Sequence, residues 1–290
     1  MHIKHIALAL TVALLWGANF TVMKVGMGTI SPLIFSALRS LIILPLLFFI
    51  PRPKISWRTL LLIGLLIGTF KLPLMLLAIS LGVATGLTSL IVQVQAFFTV
   101  VFAWAVFNQQ PSLTNWVGMA VSMLGIGLIS IQIDGSASMS GLIVIIISAI
   151  FWAISNIVIQ KKCLHVDMLS LTIWINIVPP IPLLFLSYYI YGHEEFAQSF
   201  STFTLTSFWA LLYAGFCAGL LGYTIWGHLL KKYPAAIVAP FSLLVPVFGI
   251  SFAYHAINEM LTPTSILGSL LVIFGLIVNQ IKIKKRYYRK

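Results

Sequence analysis

Charge is what this chain has least of, and acid least of all. Its 290 residues hold 5 Asp and Glu against 17 Lys and Arg, so 8% are charged while 60% are apolar. Soluble domains carry about 25% charged residues, and a water-facing surface cannot be assembled from so few. Two cysteines, Cys163 and Cys217, make no disulfide framework. The chain has no G-x-x-x-x-G-K segment for a nucleoside triphosphate, no H-E-x-x-H pair for zinc and no nucleophile elbow. Its six histidines are scattered, and no Asp or Glu falls at the middle of an apolar stretch. These absences point away from an enzyme, and no cofactor or metal is expected. The net charge of +12 would suggest nucleic acid in a soluble chain. Here the cations sit in short clusters between long apolar runs, where bilayer orientation and anionic lipid explain them, so no nucleic-acid partner is expected.

What the chain does have is hydrophobic length. A bilayer core of about 30 Å needs about 20 apolar residues per helix. Ten stretches qualify: 6–25, 32–50, 60–81, 84–107, 114–131, 141–160, 168–191, 207–230, 234–257 and 265–283. The expected class is an all-α integral membrane protein with ten transmembrane helices. The first stretch follows Lys4 as a signal peptide would, but no soluble domain and no clear small-residue cleavage site come after it. The longest polar segment, 192–206, is too short to fold alone, which puts the function inside the helices. With the N-terminus in the cytoplasm, fourteen of the 17 Lys and Arg fall on cytoplasmic segments: Lys4, Arg52, Lys54, Arg58, Lys161, Lys162, Lys231, Lys232 and six in the tail from Lys282 to Lys290. The outer segments take Asp134, Glu194, Glu195 and Glu259, and Lys24 only if it snorkels outward. Both termini are therefore expected inside.

The halves resemble one another. Shifting the chain by 150 lays 84–129 over 234–279 without a gap, pairing Phe98 with Phe248, Asn108 with Asn258, Gly118 with Gly268 and Gly125 with Gly275. A weaker echo sets Trp16 and Asn19 against Trp152 and Asn156. Five helices per half is an odd number, so the second half enters the membrane from the opposite side. The expected domains are two inverted five-helix repeats, 1–134 and 138–283, followed by a basic tail, 284–290.

Polar groups at bilayer depth are costly unless they line a cavity or pair with one another. Trp16, Asn19 and Phe20 share one face of the first stretch, and Trp152, Ser155 and Asn156 repeat the device in the sixth. Gln93 and Gln95, two apart, point about 200° from each other, so one of them is expected to face a cavity. Gly219, Gly222, Tyr223 and Trp226 form a groove of small residues beside two aromatic groups. Ser242 and Pro246 lie in the ninth stretch, where Pro240 and Pro246 leave carbonyls without intrahelical donors. Lys71 falls mid-span two residues before Pro73, where it holds a solute carboxylate or carries a proton, or else snorkels or pairs with a carbonyl freed by that proline. Arg39 reads as a structural tie between helices. For the whole set the plain alternative is helix-to-helix glue.

The run Trp16-Gly17-Ala18-Asn19-Phe20 with Lys24, the pair Leu38-Arg39 and the duplicated five-helix unit resemble the drug/metabolite transporter superfamily, EamA type. The segments Gln93-Val94-Gln95-Ala96-Phe97-Phe98-Thr99, Gly222-Tyr223-Thr224-Ile225-Trp226-Gly227 and Ser242-Leu243-Leu244-Val245-Pro246-Val247 look like its O-acetylserine/cysteine exporter branch. Gln109 departs from the pattern, since Glu is common at that helix end, and Lys71 is a charge the branch does not lead one to expect. The resemblance implies a bacterial inner-membrane protein exporting a small amino-acid-like metabolite by alternating access. Its expected partners are that solute and the lipid bilayer, with a homodimer left open. The alternatives are an importer of another small metabolite and a membrane-embedded scaffold or lipid-binding subunit carrying the basic tail.

Overall fold

The computed structural model of the protein describes residues 1–108, 110–131, 138–163, 165–233 and 238–280, and among them every regular element is helical. Six helices are long and apolar enough to cross a membrane: α1 Ile3–Met27, α3 Trp57–Ser80, α4 Thr85–Phe107, α6 Met139–Lys162, α7 Met168–Glu194 and α8 Leu205–Leu229. Four shorter apolar helices complete the numbering: α2 Pro32–Phe48, α5 Leu113–Ile129, α9 Phe241–Ile257 and α10 Pro263–Asn279. Each overlaps one of the ten apolar stretches. Gln109, Asp134, the 234–237 start of the ninth stretch and the 281–290 end with its basic tail lie outside the described residues.

Local chemistry sets where these helices begin and end. The side chains of Ser31, Ser56, Ser138, Asp167 and Thr204 each accept a hydrogen bond from the backbone N–H three residues on, satisfying a donor that a helix start leaves bare. Asn108 and Asn258 close α4 and α9 in the left-handed conformation, at φ 54° and 52°. Asn tolerates that region, and its C-terminal turn ends a helix cleanly. Outward positions are apolar where a water-facing helix would carry charge: Phe48 is 90% exposed and Leu124 69%. Hydrocarbon is the solvent that accepts such a surface. These features make the protein a multi-pass membrane protein.

Several helices are interrupted, and the interruptions recur at matching places in the two halves. A π-wound segment occupies Leu65–Lys71 in α3 and another Tyr213–Leu221 in α8. A 3-10 turn occupies Val92–Val94 in α4 and another Ala239–Leu243 at the head of α9. A wide turn frees backbone carbonyls that lipid cannot satisfy, so side chains must. Trp16 Nε1 donates to the Ala218 carbonyl at 2.9 Å, Arg39 Nε to the Ala214 carbonyl at 3.3 Å, and Ser148 Oγ to the Lys71 carbonyl at 2.7 Å. Helix α7 breaks between Ile175 and Pro180, and Gly192, at φ 76°, turns the chain before a further helical run to Ser201. The polar segment 192–206 is thus largely helical rather than a loop.

Helices α5 and α10 pack antiparallel with their backbones in contact. A methyl on Gly118 would lie 2.5 Å from the Gly275 carbonyl oxygen, and one on Gly125 would lie 2.6 Å from that of Gly268. Asn115 Nδ2 donates to both the backbone and side-chain oxygens of Asn279, at 2.9 and 2.8 Å. Ser122 Oγ donates to the Val272 carbonyl at 3.1 Å. Close packing through small residues is how helices associate where no hydrophobic drive exists between them.

Candidate functional site

Four groups of the residues singled out from sequence take shape inside the bundle. The first is an aromatic wall between α1 and α8. The Trp16 ring centroid lies 5.2 Å from that of Tyr223 and 5.3 Å from that of Trp226. Gly222 permits this approach, since a methyl there would sit 2.5 Å from Trp16 Nε1. The second group joins α3 to α6, with Lys71 Nζ 4.4 Å from the centre of the Trp152 ring and Phe70 stacked on Phe151 at 4.7 Å. Thus each tryptophan meets the wide-turn helix of the other half.

The third group is a polar triangle between α4 and α6. Asn156 Nδ2 donates to Gln95 Oε1 at 2.8 Å and reaches Thr99 Oγ1 at 3.3 Å, while Thr99 Oγ1 donates to the Gln95 carbonyl at 2.8 Å and lies 3.2 Å from Gln95 Oε1. Gln93 leaves in another direction and forms the fourth group, its Nε2 donating to the Ser242 carbonyl of α9 at 3.3 Å. Asn19 has a weak partner in the Met23 sulfur at 3.5 Å, and its buried Oδ1 has no hydrogen-bond partner among the described residues. Phe20 and Pro246 are buried, Phe20 in the main apolar core and Pro246 on α9 close to where Gly17 of α1 meets the Val245 carbonyl.

A cavity of about 50 Å³, partly open, lies between α2, α3, α6, α7 and α8. Of the residues singled out as candidates, Tyr223 lines it. The others around it include Arg39, Gly68, Thr172, Asn176 and Pro179. Thr172 and Asn176 carry no obvious sequence signal of their own. The Pro179-Pro180 pair three residues beyond Asn176 is the mark of a broken helix that would have pointed to them. Gly68 lies in the wide turn of α3 and packs directly on the Pro179 ring, leaving no room for a side chain.

A second polar cluster sits at one end of the bundle. Glu259, between α9 and α10, accepts from Lys24 Nζ at 3.0 Å, from the Gly86 backbone N–H at 2.9 Å and from Thr85 Oγ1 at 3.0 and 3.1 Å. Burial opposes ionisation of this carboxyl, but the donors from Gly86, Thr85 and Lys24 outweigh it and hold its pKa below the ordinary value. Sequence reasoning left Lys24 and Glu259 as isolated charges near one rim, because nothing in their spacing of 235 places them together. This pair is the ion pair formed among the described residues. Lys71 and Arg39, deep in the bundle, have no carboxylate within 4 Å among those residues.

An apolar-faced bundle with interrupted helices around a polar interior is the construction of a membrane transport protein. The EamA-like transporter family matches the chain twice, over residues 3–131 and 139–280, and the chain belongs to that family. It is 37% identical over 278 residues to a probable amino-acid metabolite efflux pump of Salmonella typhimurium, covering 94% of this chain and 93% of that protein. A protein of the same description from Escherichia coli is 36% identical over 278 residues, with the same coverage. An uncharacterized transporter of Bacillus subtilis is 26% identical over 289 residues, 96% of this chain and 97% of its own.

Proposed function

We propose that all ten apolar helices cross the bacterial inner membrane as two inverted repeats, 1–134 and 138–283, with both termini cytoplasmic. The protein then exports a small amino-acid-like metabolite of the O-acetylserine or cysteine kind by alternating access. The observation carrying this reading is the exchange between halves. Trp16 meets the π-wound segment of α8, while Ser148 and Trp152 meet that of α3. Gly118 meets Gly275 just as its repeat mate Gly268 meets Gly125. Halves that make equivalent contacts are built to exchange conformations, which opens one central site to either side as alternating access requires. The amino-acid substrate and the outward direction come from the two efflux-pump relatives, which carry that description at 36% and 37% identity.

In this mechanism the aromatic walls of Trp16, Trp152, Tyr223 and Trp226 enclose the solute body. Asn19, Asn156 and Gln95 exchange hydrogen bonds with its polar groups, and Lys71 contributes positive charge. Gln93, Ser242 and Pro246 form the hinge side, where the 3-10 turns of α4 and α9 face one another. Counterflow in proteoliposomes tests it: preloaded O-acetyl-L-serine or L-cysteine should drive entry of labelled solute, and Asn19→Ala and Gln95→Ala should reduce the rate. Unaltered counterflow of every amino-acid derivative in both variants removes these residues from the site.

A further inference from the structure

Arg39 presents a question that its bond to α8 does not answer. Its Nε reaches the Ala214 carbonyl at 3.3 Å, which occupies one of five N–H donors of the guanidinium. The side chain also lines the cavity, together with the Tyr223 ring, Thr172 and Asn176. No carboxylate of the described residues pairs with it, nor with Lys71, the other cation within the bundle. The neighbouring polar groups are engaged elsewhere as donors: Thr172 Oγ1 donates to the Met168 carbonyl at 2.7 Å and Asn176 Nδ2 to the Thr172 carbonyl at 2.6 Å. Arg39 therefore brings donors and positive charge to a wall shared with Ile67, Ile175 and Pro179, with its Nη2 beside Gly219. A volume of about 50 Å³ exceeds the roughly 10–15 Å³ that one water occupies on the same measure, so it takes a head group and not a whole solute. The cavity lining reaches Ile159 in the last turn of α6 and Met168 at the start of α7.

We propose that Arg39 is the anchor for the carboxylate of the transported solute, with the fork seated in this cavity and Tyr223 as the aromatic wall beside it. This rests on the amino-acid reading above and adds to it the group that selects acids. Guanidinium matches a carboxylate with two parallel hydrogen bonds, which the ammonium of Lys71 cannot do. The pairing also supplies the negative charge that two mid-bundle cations lack.

The test is binding by thermal shift on the purified full chain in detergent, with three matched probe pairs: O-acetyl-L-serine, L-cysteine and L-leucine, each as the free acid and as its carboxamide. Expected is an apparent Kd at least about 10-fold tighter for an acid than for its carboxamide, the loss of one charge-assisted interaction. Arg39→Gln should abolish that ratio by weakening the acid and leaving the carboxamide unchanged. Arg39→Lys, which keeps charge but not the fork, should lower it several-fold. If Arg39→Gln does not fold, judged by its melting temperature without ligand, Arg39→Lys carries the test, and an undiminished ratio there overturns the proposal. Equal binding of acid and carboxamide by the unmodified protein overturns the Arg39 assignment and leaves amino-acid transport standing. Failure of both members of all three pairs overturns the amino-acid reading and the anchor together.

Discussion

Lys24 Nζ lies 3.0 Å from Glu259 Oε2, and that one carboxylate also takes the Gly86 N–H and the Thr85 hydroxyl, so α1, α4 and the α9–α10 connection are tied at a single point. Lys24 is 41% exposed, so the ion pair itself is screened and contributes about 0–1 kcal/mol. The donors from α4 matter more, because Glu259 is only 10% exposed. Glu259→Gln, which keeps an acceptor for Gly86, should destabilise less than Glu259→Ala, which should cost about 1–3 kcal/mol. Thermal denaturation of the two variants in detergent measures the order. Equal melting temperatures would show that the contact holds nothing.

The same carboxyl gives a pH dependence. Its folded pKa is held below the unfolded value, so its contribution is fully present above the unfolded pKa and is lost as pH falls through the depressed folded one. Melting temperature should therefore decline on acidification through the carboxylate range. The decline should be shallower in Glu259→Gln, which has no proton to take up there. Parallel curves for the two proteins would remove Glu259 from the acid response.

Backbone contact between α5 and α10 makes their glycines intolerant of any side chain. Gly118→Ala and Gly125→Ala should each cost about 1–3 kcal/mol, since the new methyl meets a carbonyl oxygen and not a flexible side chain. Gly127, where a methyl meets nothing within 4 Å, is the control on the same helix and should be near neutral. Urea or thermal unfolding in detergent, run side by side, checks the contrast.

The Asn156–Gln95–Thr99 triangle separates glue from site. Interhelical hydrogen bonds in membranes are worth about 0.6–2 kcal/mol, so Asn156→Ala and Gln95→Ala should couple by about that much in a double-mutant cycle on stability. If the triangle also meets solute, counterflow rates should fall in each single variant by more than the change in folded fraction explains. A stability effect with unchanged transport per folded molecule assigns the three residues to packing alone.

Lys71 is expected to behave in the opposite way. An ammonium at mid-bilayer costs about 2.5–3.5 kcal/mol on insertion scales, and contact with the Trp152 ring returns about 0.5–2 kcal/mol. Lys71→Met should leave the melting temperature unchanged or raise it, while transport of acidic solutes falls. A large loss of stability would mean that the cation is a structural strut.

Much of the architecture was legible because it follows from composition over long windows. Twenty apolar residues in a row commit a segment to hydrocarbon whatever surrounds it. The meeting of Trp16 with Tyr223 and Trp226 was foreshadowed by aromatic groups at helical spacing beside glycine, which leave a groove for a partner ring. The cavity was harder to see. Arg39 read as a tie, and it is one, through Ala214, but its place on the cavity wall depends on α7 breaking at Pro179 and on Gly68 admitting the Pro179 ring. Glu259 and Lys24 could be sorted to one rim, yet their meeting with Thr85 and Gly86 depends on how three chain segments converge.

By itself, then, the sequence determined the solvent of this polypeptide, the positions of its apolar helices and the likeness of its two halves, all of which are properties of local composition and repetition. Tertiary structure decided which polar group each mid-helix side chain meets. The physical reason is angular: a helix turns about 100° per residue, so one extra residue in the wide turn of α3 or α8 swings everything beyond it onto another face. Regular periodicity cannot anticipate such a turn, because the carbonyls it frees are satisfied by Trp16, Arg39 and Ser148 arriving from other helices.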